Sequence, residues 1–241
     1  MDPEEFRRAG YAVVDWIADY WSTLGKRPVV SSDPPGAVAA ALPDGPTAQG
    51  EPVEAVLADL DALVAPRLTH WQHPGFFGYF PANTSGPSVL GDLVSAGLGV
   101  QGMLWATSPA CTELETAMMD WLAGLLDLPE KFRSHTRGGG VIQDSASSAT
   151  LVATLAALHR AGGGRWRDAG VDRRYRVYTS THGHSSIEKA ARIAGLGADG
   201  VRVVAVDPRT QAMRPDALRA AIEADRAAGD VPAIVVATIG T

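Results

Sequence analysis

Apolar residues near the start of the chain recur at the three-to-four-residue spacing of one helix face. The apolar positions are Phe6, Val13, Val14, Ile17, Tyr20, Trp21 and Leu24. Asp2 and Glu5 have the spacing of a capping box, Pro3 suits the first turn, and Gly25 ends the run. The pattern predicts an N-terminal helix whose apolar stripe packs on its own domain or on a partner subunit.

The middle of the chain alternates between irregular and helical patterns. Residues 28–52 are rich in proline, glycine and serine, which is typical of a connector, and residues 66–88 hold many aromatic residues without periodicity. Helices are predicted over 54–63 and 88–98. A further helix is predicted from Ser108, as the cap, to the residues before Pro129.

From Gly138 onward, short apolar runs alternate with amphipathic segments. Strands are predicted over 141–143, 176–180, 201–206 and 233–238, and helices over 144–160, 184–194 and 215–228. This alternation predicts βαβ units and a mostly parallel sheet. Because a core strand is followed at once by Gly240 and Thr241, we expect the sequence to stop inside an α/β domain.

Composition narrows the class of protein. The 241 residues are 46% hydrophobic and 20% charged, as in a globular chain. The net charge is −6, without a block of basic residues, so no nucleic-acid partner is expected. A single cysteine, Cys111, excludes an internal disulfide. Without a signal peptide or an uninterrupted apolar span, we expect no membrane association and a cytoplasmic location.

The segment from Gln143 to Thr150 is a candidate anion site. Small and hydroxyl residues open a predicted helix directly after a predicted strand. Backbone N–H groups at a helix N-terminus bind phosphate groups well. The alternative is an ordinary serine-rich helix cap, and the carboxylate of Asp144 counts against a phosphate.

His182 and His184 form a second candidate, directly after the strand that ends at Ser180. A histidine at this position can stack on a planar cofactor or move a proton. A metal site is not favoured because no third ligand lies nearby in sequence, and a surface histidine in a helix cap is the plainer alternative. Cys111 is interpreted as part of a core helix rather than as a nucleophile.

Several runs together resemble one protein family, the group II pyridoxal-phosphate-dependent decarboxylases of the aromatic-L-amino-acid type. The runs are Glu5 to Gly10, Thr69 to Trp71, Phe76 to Pro81, Ser108 to Glu115, Met118 to Leu122, Gly138 to Gln143, Ser145 to Ser147, His184 to Ser186 and Val236 to Thr241. They occur in the family's order and cover essentially the whole chain. Family members are roughly twice as long, so the resemblance covers their N-terminal half.

The resemblance implies an aminotransferase-like α/β fold (fold type I) with a mostly parallel sheet, here truncated. Residues 1–107 would form an N-terminal helical arm, exchanged across a homodimer, together with substrate-pocket loops. Residues 108–241 would form the first, incomplete part of the large domain that binds pyridoxal 5'-phosphate (PLP).

The resemblance also assigns roles to individual residues. Ser145, Ala146 and Ser147 would hold the cofactor phosphate, and His184 would stack on the pyridine ring and act in catalysis. The substrate pocket would be lined by Trp71, Tyr79, Phe80 and Pro81, with Gln101 and Met103 reaching into the pocket of the neighbouring subunit. The implied reaction is decarboxylation of an aromatic L-amino acid to the amine and CO2, with the cofactor ring as electron sink.

Departures from the family pattern leave the substrate open among tyrosine, dopa, tryptophan and phenylalanine. They are Asp144, Ala82, Gln101 and Met103. The family's Schiff-base lysine motif, of the Asn-Pro-His-Lys type, and its Asp-Ala-Ala type motif are not among these residues. We therefore expect the C-terminal half of the enzyme as a partner and no activity from this chain alone. An aromatic aldehyde synthase of the same family, or a non-catalytic fragment that only binds a partner chain, are the alternatives.

Overall fold

The computed structural model describes residues 1–45, 49–79 and 84–239. These residues form two units, 1–100 and 101–241. The division at residues 107 and 108, between pocket loops and cofactor domain, concerns a longer enzyme and stays a prediction.

The first unit is helical. Helix α1 spans Pro3–Thr23, α2 Ala37–Ala41, α3 Val53–Asp59 and α4 Gly86–Leu98. The predicted capping box of α1 is confirmed, since Asp2 Oδ1 accepts from the Glu5 N–H at 2.8 Å and Glu5 Oε2 accepts from the Asp2 N–H at 3.3 Å. None of the residues of α1 is fully buried, and Phe6, Val13, Val14 and Trp21 of its apolar stripe are exposed.

The second unit contains the sheet. Helices α5 (Pro109–Leu125), α6 (Ala146–Ala161) and α7 (Trp166–Ala169) precede β1 (Tyr175–Ser180). Helix α8 (Ser186–Ile193), β2 (Val201–Val204), α9 (Pro215–Ala227) and β3 (Val231–Val235) follow. The strand order is β2-β1-β3, and both pairs are parallel, as the alternating pattern predicts. All six residues of the central strand β1 are buried, which is typical of a strand covered on both faces.

The core of the second unit lies between the sheet and the helices packed on it. Leu158 of α6 packs with Tyr175 of β1 and Ala233 of β3. Val177 of β1 packs with Ile187 of α8. These contacts hold α6 and α8 against the strands, and both helices begin near the candidate site residues.

A buried cluster of charges lies at the amino end of β1. The Arg176 guanidinium pairs with Asp230, and its Nε lies 3.8 Å from Asp225 Oδ1. Arg202 donates to Asp225 over 2.8–3.1 Å, and the Tyr178 hydroxyl donates to Asp225 Oδ2 at 2.9 Å. These bonds, those of Arg202 foremost, hold the pKa of Asp225 below its usual value, while burial raises the pKa of Tyr178. The cluster ties β1 and β2 to α9 and to the turn before β3.

Three strand predictions differ from the structure; one of them, 233–238, is shifted, since β3 spans Val231–Val235. Residues 141–143, which were expected to form a strand, have no strand partner among the described residues, because the Ile142 N–H donates to the Glu115 carboxylate at 2.8 Å instead. β2 ends at Val204, and Val206 then pairs with Met213 in an antiparallel bridge. Within the described ranges, we find no helix with both the length and the apolar character needed to cross a membrane.

Candidate functional site

The first turn of α6 forms an open cradle of backbone donors. Ser145 is the N-cap in extended conformation, and its Oγ accepts from the Ser148 N–H at 3.2 Å. The N–H groups of Ala146 and Ser147 lie in the first turn, where the N–H groups of every α-helix have no acceptor within the helix. Both side chains are small and exposed, so an anion can approach these donors closely. Asp144 is also exposed, and solvent therefore screens its charge from the cradle.

The backbone that leads into this cradle is fastened to α5. Glu115 binds the Ile142 N–H, and Asp120 Oδ1 accepts from the Ser134 N–H at 2.8 Å. Hydrogen bonds from Ser134 also lower the pKa of Asp120. A Cβ at Gly138 would lie 2.1 Å from the Lys131 carbonyl oxygen, so this turn requires glycine. The position of the cradle thus depends on residues of α5 and of the turn after it.

His184 lies in the loop between β1 and α8 and is linked to α6. Its Nδ1 lies 2.9 Å from Ser186 Oγ and accepts from the Ser186 N–H at 3.1 Å. Ser186 is buried, and its hydroxyl reaches Thr150 Oγ1 of α6 at 3.5 Å. The predicted phosphate cradle and the predicted ring-stacking histidine are therefore connected through one serine and one threonine.

His182 has a separate partner. Its Nε2 lies 2.8 Å from Gln211 Oε1, and Gln211 Nε2 donates to the Pro208 carbonyl at 2.8 Å. His182 thus tethers the loop after β1 to the turn at 207–211. Over the described stretches of the chain, no group of three or more His, Cys, Asp or Glu side chains is arranged to hold a metal ion.

Aromatic rings stack around Trp71 in the first unit. Its ring centroid lies 5.4 Å from that of Tyr79 and 5.1 Å from that of Phe76. Tyr79 is 89% exposed and has a φ of 55°, which is uncommon for a residue with a side chain. The other predicted pocket residues of this segment, Phe80 and Pro81, lie outside the described residues, as does Ala82.

The aromatic segment is anchored by a buried histidine. His70 is 2% exposed, and its Nδ1 lies 2.7 Å from the Tyr20 hydroxyl of α1. Its pKa is lowered by burial and, to a smaller extent, by the charges of Arg27 and His73. The pair fixes the chain immediately before Trp71 to the N-terminal helix.

Gln101 and Met103 lie in the second unit, on the loop before α5. Met103 is 76% exposed, and the Gln101 carbonyl accepts from the Thr107 hydroxyl at 2.8 Å. The Trp105 indole N–H donates to Glu113 of α5 at 2.8 Å, which holds the same loop. Exposure of Met103 is compatible with a contact to another chain.

Ser186, Thr150 and Glu115 organise this region; all three lie in segments that the sequence patterns singled out, but no pattern gave any of them a role. Ser186 lies within a quoted family run, but its link to Thr150 joins residues 36 positions apart. Glu115 and Ile142 are 27 positions apart. The only local signal was the polarity of Glu115 on a helix with many apolar residues, and that signal does not identify a partner.

Comparison with known proteins places this geometry in a family. Residues 35–241 match the pyridoxal-dependent decarboxylase conserved domain. Phenylacetaldehyde synthase of Arabidopsis thaliana is 43% identical over the whole chain, which covers 49% of that protein. Aromatic-L-amino-acid decarboxylase of Mus musculus is also 43% identical over the whole chain, which covers 51% of it.

Solved structures agree with this assignment. The structure of Oryza sativa TDC with PLP and tryptamine has a TM-score of 0.89 and 33% identity to this chain, with 100% of this chain and 52% of that one covered. The predicted α/β fold and the predicted family resemblance are thus confirmed. The chain spans about half the length of the curated relatives it matches. It belongs to the pyridoxal-dependent decarboxylase family.

Proposed function

We propose that this chain supplies the phosphate- and ring-binding residues of an enzyme that decarboxylates an aromatic L-amino acid to the amine and CO2. The proposal rests on one observation, the link between the first turn of α6 and His184 through Ser186 and Thr150. This link supports the proposal because the first turn of α6 and the imidazole of His184 belong to one hydrogen-bonded group.

The donor set fits PLP as the cofactor. Ser145, Ala146 and Ser147 would hold the phosphate through backbone N–H groups and hydroxyls, and His184 would contact the pyridine ring. When bound, PLP supplies an electron sink for the pair left behind as CO2 departs. The small side chains of the cradle let the phosphate approach the helix terminus, where the helix dipole adds to the attraction.

Substrate recognition is assigned to the aromatic segment. Trp71 and Tyr79 present stacked rings, and a flat aromatic side chain packs well against such surfaces. Phe80 and Pro81 are proposed to line the same pocket on the strength of the family resemblance, and Gln101 and Met103 would reach into the pocket of the neighbouring subunit. The substrates in question are tyrosine, dopa, tryptophan and phenylalanine.

We propose that this chain binds two partners, a second copy of itself and the C-terminal half of the enzyme. A homodimer through α1 is supported by the exposed apolar side chains of that helix, such as Phe6, Tyr11 and Trp21. The C-terminal half of the enzyme would bring the family's lysine motif, because Lys26, Lys131 and Lys189 have no matching sequence context. A cytoplasmic location remains a prediction from the composition.

An aromatic aldehyde synthase is the second candidate. The phenylacetaldehyde synthase and the decarboxylase named above are equally identical to this chain. Identity therefore does not separate the two products. A fragment that only binds a partner chain is the remaining alternative.

The test compares this chain alone with the same chain joined to its C-terminal half. Each protein is incubated with PLP and one aromatic amino acid at a time, and CO2, amine and aldehyde are quantified. We expect no product from the chain alone and amine with CO2 from the joined protein, with turnover strongly reduced by His184→Ala. Aldehyde in place of amine would support the synthase. Product from the isolated chain, or normal turnover in the variant, would contradict the assigned roles.

A further inference from the structure

The loop that holds His184 contains a donor whose direction is fixed by the backbone. The Ser186 N–H donates to His184 Nδ1 at 3.1 Å. A backbone N–H cannot accept a hydrogen bond, so Nδ1 must present a lone pair to it. The hydrogen of the neutral imidazole then lies on Nε2.

The hydroxyl of Ser186 reinforces the same arrangement. Its Oγ lies 2.9 Å from His184 Nδ1 and 3.5 Å from Thr150 Oγ1. The Thr150 hydroxyl donates to the Ala146 carbonyl at 2.9 Å, so it has no hydrogen left for Ser186 and can only accept. The Ser186 hydroxyl carries a single hydrogen, and its contact to the lone pair of His184 Nδ1 is the shorter of the two, so this hydrogen bond is assigned to His184.

The position of Ser186 explains why it can act in this way. It is the first residue of α8 and is 6% exposed, so water competes little for its donors. Ser185, its neighbour, is exposed and makes no side-chain capping bond to the helix. The two adjacent serines thus differ sharply in environment and in contacts.

We propose that Ser186 is a positioning residue that holds His184 as an Nε2–H donor and orients it toward the first turn of α6. In the proposed function His184 contacts the cofactor ring, and the role of its Nε2–H rests on that proposal. Nε2–H is then the donor that His184 offers to an acceptor atom of a bound ligand.

The tautomer can be read on this chain without any cofactor. In a sample labelled with 15N-histidine, long-range 1H–15N NMR distinguishes a ring nitrogen that bears hydrogen from one that bears a lone pair. The chain has six histidines, and the His184 signals are those lost in His184→Gln. We expect His184 to be Nε2-protonated in the unaltered chain; an Nδ1-protonated ring would overturn the proposal by itself.

Matched variants then test the role of the hydroxyl. Ser186→Ala removes one hydrogen bond worth roughly 1 kcal/mol, so the Nδ1-protonated population should rise about fivefold. Ser186→Thr should restore the original spectrum, and Ser185→Ala should leave it unchanged. Equal spectra for Ser186→Ala and Ser185→Ala would show that the hydroxyl does not position the ring. Because no cofactor is present, failure here is distinct from failure to bind PLP.

Discussion

The buried charge cluster under β1 gives the sharpest stability prediction. Asp225 is 6% exposed and accepts hydrogen bonds from Tyr178 and Arg202. Asp225→Ala removes this acceptor and leaves the guanidinium of Arg176 with Asp230 as its remaining carboxylate. Breaking a buried ion pair by removing one partner costs about 3–5 kcal/mol. Arg202 is 36% exposed and can rehydrate, so we expect a loss near the lower end, about 3 kcal/mol.

Urea unfolding followed by circular dichroism measures this loss. With a slope of about 2 kcal/mol per molar urea, the midpoint of the second unit should fall by about 1.5 M. Asp216→Ala is the matched control: Asp216 pairs with Arg214 on the exposed surface and lies in the first turn of α9, so its removal should lower the midpoint by about 0.5 M or less. Equal midpoints for the two variants would refute the assignment of a stabilising role to the buried cluster.

The pH dependence offers an independent check of the same residue. The pKa of Asp225 is lowered in the folded chain, mainly by the hydrogen bonds from Arg202. Its contribution is therefore present above the unfolded pKa of about 3.9 and is lost as the pH falls through the lower folded value. The stability difference between the unaltered chain and Asp225→Asn should shrink below about pH 4. A difference that persists into stronger acid would contradict the electrostatic explanation.

Two further predictions concern the segments that bring the site residues into place. Because burial lowers the pKa of His70, the unfolded chain binds a proton more readily than the folded chain, and the free energy of unfolding should fall as the pH drops below about 6.5. Urea midpoints measured at several pH values should show this fall in the unaltered chain and lose the contribution of His70 in His70→Asn. The same pH dependence in both proteins would contradict the prediction. Glu115→Leu should speed hydrogen exchange of the Ile142 amide at least tenfold, because it removes a hydrogen bond to a charged group worth about 1.5–3 kcal/mol. Glu115→Gln keeps an acceptor and should speed exchange less. Identical exchange in both variants would show that the bond does not hold this backbone.

Local patterns in the sequence predicted the longer helices and the three strands, but not the short helices α2 and α7 or the ends of β2 and β3. The capping box of α1 and the helix start at Pro109 depend on residues a few positions apart. The alternation of strands and helices after Gly138 fixed the parallel character of the sheet, because parallel strands need crossover connections. The family motifs then supplied the expected cofactor and its binding residues.

The contacts that organise the site join residues far apart in sequence, which is why periodicity could not predict them. The local apolar run favours a strand at 141–143, but the Ile142 N–H donates to the Glu115 carboxylate instead of to a neighbouring strand. Ser186 meets Thr150 because α6 and α8 pack side by side, and Arg176 meets Asp230 across 54 positions. In each case a polar side chain finds its partner only after the apolar core has brought two elements together.

The first turn of α6 is the proposed binding site of the cofactor phosphate. Equilibrium dialysis of the chain with pyridoxamine 5'-phosphate and with pyridoxamine tests it directly, since neither ligand carries an aldehyde that reacts with lysine. Ser147→Glu places a carboxylate at the second position of α6, where it favours the helix but repels a phosphate. Ala110→Glu, at the exposed second position of α5, is the matched control.

We predict that the chain prefers the phosphorylated ligand, that Ser147→Glu weakens its binding at least tenfold, and that Ala110→Glu does not. A tenfold change corresponds to about 1.4 kcal/mol, slightly less than the loss of one hydrogen bond to a charged group. Equal binding of the two ligands, or unchanged binding in Ser147→Glu, would contradict the phosphate site.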